Sequence, residues 1–246
     1  MNNYKLLIQY DGSNYSGWQI QANSPTIQQK ITEAINIIIK EKVNLNGSGR
    51  TDSGVHALGQ VANFRTELDL DLYKFKFSLN SILPNDISII DIKKVSENFH
   101  SRFDAKKRSY IYLISHIKSP FFDKYSYFHK AISYENISKL NLLSKTLLGE
   151  HDFSSFTKKS IQHENKLCNL FEIHWRRVKD QTIFYVEGNR FLHGMVRAII
   201  GTLLFTCENE LDEAFLKEII THRNRCEAEE SVPAKGLFLY KVKYLE

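Results

Sequence analysis

One acid in this chain sits in a setting that suits chemistry. Asp52 lies within Gly47-Ser48-Gly49-Arg50-Thr51-Asp52-Ser53-Gly54-Val55-His56-Ala57, flanked by two hydroxyl residues and bracketed by glycines. Glycine lets backbone turn sharply and lets a ligand approach it closely. The spacing therefore predicts Asp52 on a tight loop between two apolar segments. An arginine two residues away favours the ionised form of a carboxylate, even in a cleft. An ionised carboxylate on an accessible turn can act as a nucleophile or as a base.

Two further segments carry candidate chemistry. In Phe191-Leu192-His193-Gly194-Met195-Val196-Arg197 a helical spacing puts Leu192, Val196, Ile199, Ile200 and Leu203 on one side, with His193 and Arg197 sharing another edge. Arg197 reads either as a bidentate clamp on a carboxylate or as a solvated helix arginine. Tyr110 follows Lys106-Lys107-Arg108 on a strand-like run. Basic residues beside an aromatic suit a base stacked on a ring with phosphates nearby, and a core aromatic is the alternative. Basic pairs recur at Lys158-Lys159 and Arg176-Arg177, with Arg190 and His222-Arg223-Asn224-Arg225 beyond them; each also reads as a solvated face.

The positioning elements follow from periodicity. Leu6 to Tyr10 reads as a strand ending at Asp11-Gly12. A helix follows Pro25, with Ser24 as its cap and Ile27, Ile31, Ala34, Ile35 and Ile38 as its stripe. Gln60 to Phe64 is a strand, Leu72 to Leu83 a helix and Ile87 to Val95 a strand. The pattern then restarts. Ser109 to Ile117 alternates as a strand, and Ile137 to Leu148 is helical. Phe171 to Val178 and Thr182 to Glu187 form a hairpin about a bulged Lys179-Asp180-Gln181 turn. Leu192 to Phe205 and Asp212 to Thr221 are helical, and Leu237 to Tyr244 is a closing strand. Strands and helices mix in both halves, which predicts an α+β protein of two subdomains, 1–104 and 105–246.

Composition narrows the classes. The chain has 246 residues, 42% hydrophobic and 25% charged, with 33 basic against 28 acidic residues for a formal charge of +5. This is globular composition with a modest leaning toward anionic partners. No apolar run has signal-peptide or membrane-spanning length. The three cysteines, Cys168, Cys207 and Cys226, form no metal-binding pattern and fit small fillers in a reducing cytoplasm. Phosphate-loop, dinucleotide, zinc-protease and serine-hydrolase signatures are missing.

Together, Tyr10-Asp11-Gly12-Ser13-Asn14-Tyr15-Ser16-Gly17-Trp18-Gln19, the Gly49 to Ala57 loop, Phe99-His100-Ser101-Arg102-Phe103, Arg108-Ser109-Tyr110-Ile111-Tyr112, Phe191 to Arg197 and Pro233-Ala234-Lys235-Gly236-Leu237 resemble the tRNA pseudouridine synthase A family, in order and over nearly the whole chain. The resemblance implies isomerisation of uridine to pseudouridine at positions 38, 39 and 40 of the tRNA anticodon stem-loop. It implies two ferredoxin-like or RRM-like subdomains with antiparallel sheets, forming the pseudouridine synthase fold around a central basic cleft. It also implies a cytoplasmic homodimer that grips tRNA across both subunits, without cofactor or metal. By the same resemblance Asp52 is the catalytic aspartate, Arg197 its partner and Arg50 a residue that displaces the base. Tyr110 stacks on the target, and Arg108, His56 and Phe103 join the substrate-binding set. The chain departs from the family at Gln162 to Cys168, which lacks an arginine-threonine pair, and at Ser53, where alanine is common. Two other readings stand beside this one: a non-catalytic RNA-binding protein or RNA chaperone on the same scaffold, and a hydrolytic base glycosidase.

Overall fold

The computed structural model describes residues 1–130, 132, 134–157 and 165–245. In chain order the elements are β1 (Asn2–Tyr10), α1 (Ile27–Ile39), β2 (Asn46–Gly47), β3 (His56–Thr66), α2 (Leu72–Ile82) and β4 (Ile87–Val95). These are followed by β5 (Lys107–Ser115), β6 (Tyr127–Phe128), α3 (Tyr134–Lys145), β7 (Gly149–Asp152) and β8 (Leu167–Val178). The chain continues with β9 (Gln181–Gly188), α4 (Met195–Glu208), α5 (Glu213–His222) and β10 (Leu237–Lys243). It divides into two compact units, Met1–Lys106 with Phe238–Glu246, and Lys107–Leu237.

In the first unit β1 is central. Tyr4, Leu6, Ile8 and Tyr10 are all buried, as period-two alternation requires. It pairs antiparallel with β3 on one side and β4 on the other, and β2 adds antiparallel to β3. The order β4-β1-β3-β2 splits each β-α-β connection around a middle strand, the ferredoxin-like arrangement with β2 cut to two residues. β10 then joins β3 in parallel, with Phe238 opposite His56 and Leu239 opposite Ala57. Residues 238–246 therefore count with the first unit, where the sequence reading runs the second subdomain unbroken to 246. Distant strand pairing decides this, and no local pattern records it.

α1 begins later than the Ser24-Pro25 signal predicts. Thr26 is its cap, with its hydroxyl accepting the Gln29 N–H at 3.3 Å. The Pro25 carbonyl is engaged elsewhere, by the Ser16 N–H. The buried stripe runs Ile27, Ile31, Ala34, Ile35 and Ile39, so Ile39 takes the inward place expected of Ile38.

In the second unit β5, β9, β8 and β7 lie side by side, antiparallel throughout. β9 separates β5 from β8, so β5-α3-β8 is again a split connection. Tyr110, Tyr112 and Ile114 all point inward from β5, as the alternation predicts. The β8–β9 loop has two residues, not three, because Gln181 already pairs with Val178. Lys179 takes the left-handed conformation there, and the irregularity lies between Leu170 and Glu172 instead. α3 stops at Lys145 rather than Leu148, where the N–H groups of Thr146, Leu147 and Leu148 turn to carbonyls three residues back. α4 starts at Met195 because Gly194, at φ +75°, is its cap. His193 thus precedes the helix and does not share an edge of it with Arg197.

Candidate active site

Asp52 stands on a loop fixed from both sides. Before it, the Ser48 N–H donates to Val61 O at 2.7 Å, the Ser48 hydroxyl meets Gln60 Oε1 at 2.7 Å, and Gln60 Nε2 donates to Gly49 O at 3.1 Å. Thr51 is held twice: its carbonyl accepts the Trp18 N–H at 3.1 Å, and its hydroxyl pairs with the Tyr10 hydroxyl at 2.8 Å. After it, the Val55 N–H closes a four-residue turn on Asp52 O at 3.2 Å. Gly54 occupies the third position at φ +74°, as a type II turn demands. Tyr15 O accepts from both the Ser53 hydroxyl and the Gly54 N–H. Asp52 itself is half-buried and Arg50 is exposed.

The segment Asp11 to Trp18 braces this loop so closely that two of its glycines admit no side chain. A Cβ at Gly12 would sit 2.0 Å from Val55 O, and one at Gly17 2.5 Å from Thr51 O. His56, offered by the sequence as a substrate contact, is only 1% exposed. Its Nδ1 lies 3.1 Å from the Gly12 N–H that donates to it and 3.1 Å from an Asp11 carboxylate oxygen. Its ring stacks on Phe238 at 4.7 Å. These contacts make His56 a buried strut of the loop. Tyr15 is fixed by donating to Asp86 at 2.6 Å, and burial together with that carboxylate raises its phenol pKa, so the proton stays on the ring oxygen. Sequence reading missed Tyr10, Tyr15 and Trp18 as loop supports, although all three fall inside the Tyr10 to Gln19 motif.

Phe103, also in the first unit, is 72% exposed. Its ring lies 4.4 Å from that of His100, and the Arg102 guanidinium sits 5.7 Å from its centroid. An exposed ring backed by a cation is a surface on which a base can stack.

The second unit holds Tyr110, Arg108 and Arg197. Tyr110 is 7% exposed, and Phe191 meets its ring edge-on at 5.1 Å. Phe191 orients that ring, a role the sequence reading did not give it. Arg108 donates to Asn189 O at 2.8 Å, and Lys107 pairs with the buried Glu187 at 3.0 Å. Arg197, in the first turn of α4, donates from Nε to Val232 O at 2.6 Å, and the Tyr112 hydroxyl donates to Pro233 O at 2.8 Å. Burial pushes the Tyr112 phenol pKa up, and the positive charge of Arg197 offsets only part of that rise. The strap Val232 to Gly236 is therefore laid against β5 and α4 by two hydrogen bonds. Gly236 makes room for it, since a Cβ there would meet the Tyr112 ring at 2.8 Å.

Several basic residues have structural partners. Arg177 donates to Ile132 O, Arg223 faces Asp152, and Arg225 donates to Ala228 O and Glu229 O. Lys158, Lys159 and residues 162–164 of the divergent Gln162 to Cys168 segment lie outside the described residues. Cys168 and Cys207 are buried, and burial pushes the Cys168 thiol up to about 11; Cys226 is exposed. Among the described residues no group of three or more His, Cys, Asp or Glu could hold a metal ion. No helix among them is long and apolar enough to cross a membrane.

The chain is a two-unit α+β protein, with a loop-borne carboxylate in one unit and a buried tyrosine and a helix arginine in the other. The family model described as tRNA pseudouridine synthase matches residues 6–104 and 143–245. The chain is 41% identical over 253 residues to tRNA pseudouridine synthase A of Caldicellulosiruptor saccharolyticus, covering 99% of this chain and all of that one. It is 39% identical over 248 residues to the protein of that name from Clostridium acetobutylicum, again covering 99% and 100%. With the Brachyspira hyodysenteriae protein of the same name it shares 38% over 242 residues, covering 97% and 96%. The chain belongs to the tRNA pseudouridine synthase family.

Proposed function

We propose that this chain isomerises uridine to pseudouridine at positions 38, 39 and 40 of the tRNA anticodon stem-loop, with Asp52 as its catalytic carboxylate. Membership of the family makes it a tRNA-modifying isomerase; the positions and residue roles are this proposal. The observation that carries it is the fixing of Thr51 and Val55 on either side of Asp52, which holds the backbone bearing the carboxylate in place before substrate arrives.

The reaction breaks the C1′–N1 bond, turns the uracil and joins C5 to the same C1′. The C5 proton leaves and N1 gains one, so no atom is added and no electron is transferred overall. A stem base must first leave its stack, at a cost of about a few kcal/mol. Arg50, exposed on the loop, occupies or braces the gap, and Tyr110 supplies the stacking face. Arg197 is the arginine that this proposal assigns to the catalytic set beside Tyr110. Asp52 then attacks C1′, or removes a sugar proton to give a glycal; both routes end in the same product. Arg108 and Phe103 contact the RNA around the target. The assembly is a cytoplasmic homodimer that grips one tRNA across both subunits.

The test is a tRNA transcript carrying tritium at uridine C5. Tritium release without free uracil, mapped to positions 38 to 40, is the expected result. Free uracil would point to a glycosidase, and binding without release to an RNA-binding protein or chaperone. Either outcome overturns the proposal.

A further inference from the structure

Between β5 and β6 the second unit carries an aromatic knob. Phe121 is 87% exposed, and Phe122, Tyr125 and Ile117 are exposed beside it. The knob is built, not loose. The Ser119 carbonyl accepts the N–H groups of Phe122 and Asp123, at 3.2 and 3.0 Å. The Ser119 hydroxyl accepts from the Phe121 N–H at 3.3 Å. The Tyr125 N–H and the Ser126 hydroxyl both donate to Phe122 O, at 3.1 and 2.7 Å. The turn therefore holds the Phe121 ring out into water, where an apolar ring is unfavourable unless something covers it.

The charge around the knob says what that cover is. From Ile117 to Lys130 there are three lysines, Lys118, Lys124 and Lys130, against one acid, Asp123. Lys124 lies 5.2 Å from the Tyr125 ring centroid and Lys130 6.0 Å from that of Phe128. Protein–protein contacts are poor in lysine at their centres, whereas aromatic rings interleaved with lysines suit unpaired nucleotides. Asp123 is itself paired, with Lys235 at 2.8 Å. Lys235 belongs to the strap whose Val232 carbonyl accepts from Arg197. Lys235 lies three positions after Val232, at most about 10 Å along the chain, so the knob is tied close to that arginine.

We propose that the Ser119–Tyr125 turn is a second stacking platform for RNA, on which Phe121 takes an unpaired nucleotide of the tRNA substrate away from the isomerised base. This rests on the reading of the chain as a tRNA pseudouridine synthase and extends it to a contact beyond the target uridine. It predicts that substrate is gripped through an unstacked base as well as through phosphates.

The test measures tRNA affinity and kcat/KM for the wild type, Phe121→Ala and Phe121→Trp, with the mass of each protein in solution. Loss of one stacked base weakens binding between about fivefold and a hundredfold. Phe121→Ala is expected to lose that much in affinity at unchanged oligomeric mass, and Phe121→Trp to restore it. Fluorescence of the Phe121→Trp tryptophan should be quenched when tRNA binds. If the wild type binds and isomerises tRNA and Phe121→Ala does so equally well, the platform is wrong and the function stands. If Phe121→Ala instead lowers the oligomeric mass at unchanged intrinsic RNA affinity, the knob is a contact between protein copies and the proposal is overturned. If the wild type neither binds nor modifies tRNA, the underlying function fails first.

Discussion

Gly17→Ala against Gly149→Ala separates the push on the Asp52 loop from ordinary backbone strain. The two glycines share nearly the same left-handed backbone, φ +96° and +91°. Alanine at either position incurs about 1–2 kcal/mol of strain from that conformation. Their surroundings differ. A Cβ at Gly149 meets nothing within 4 Å, while one at Gly17 lies 2.5 Å from Thr51 O, 3.1 Å from Asp52 C and 3.3 Å from Ser53 N. Relief of the Thr51 contact to 3.0 Å requires a shift of about 0.5 Å, and backbone on both sides must give, adding about 1–3 kcal/mol. A displacement of about 1 Å can lower turnover about a hundredfold. Gly17→Ala should therefore lose about tenfold or more in single-turnover rate, and Gly149→Ala should stay near wild type. Urea unfolding gives the stability of each variant, and rates are compared at a temperature where both are folded. Equal rates for the two variants would refute the claim that Gly17 fixes the loop by contact.

Tyr10→Phe removes the phenol that pairs with the buried Thr51 hydroxyl and should cost about 1–3 kcal/mol in denaturant unfolding. Arg197→Lys loses the Nε donor to Val232 O and the planar fork, so turnover should fall by more than tRNA affinity does. A uniform loss of affinity would make Arg197 a phosphate contact instead. His116, enclosed between Thr182 and the His129 carbonyl, has its pKa lowered from 6.5, chiefly by burial. The unfolded chain then binds the extra proton more readily, so this contribution is complete above about pH 6.5 and is lost as pH falls toward the folded value. His116→Gln should flatten that part of the stability–pH curve measured by thermal melts.

Much of the fold was readable from periodicity. β4 has the bounds its β-branched run predicts, and the alternation of β5 gives the inward set correctly, because one buried face writes itself into the sequence. Ends were less legible. Gly194 in a left-handed cap moved the start of α4, and Thr26 displaced the Ser24-Pro25 signal. The parallel pairing of β10 with β3 joins residues nearly two hundred positions apart, which no local pattern records. Within the candidate site, the Gly-Arg-Thr-Asp-Ser-Gly run announced a turn, and the turn is there. The bracing contacts of His56 were not legible, because an imidazole looks the same in sequence whatever it touches; its contacts with Gly12, Asp11 and Phe238 arise only in three dimensions. Phe191 was hidden for the same reason, since its partner Tyr110 lies far back along the chain.

The central claim is that the Asp52 carboxylate performs the isomerisation, and Asp52→Asn tests it with little change in shape. Wild type and Asp52→Asn are incubated in excess over a C5-tritiated tRNA transcript, with tRNA binding and thermal unfolding measured on the same preparations. The account predicts tritium release by the wild type and none by Asp52→Asn, with binding and stability retained. Pseudouridine formed by clean Asp52→Asn at a rate comparable to wild type would contradict it.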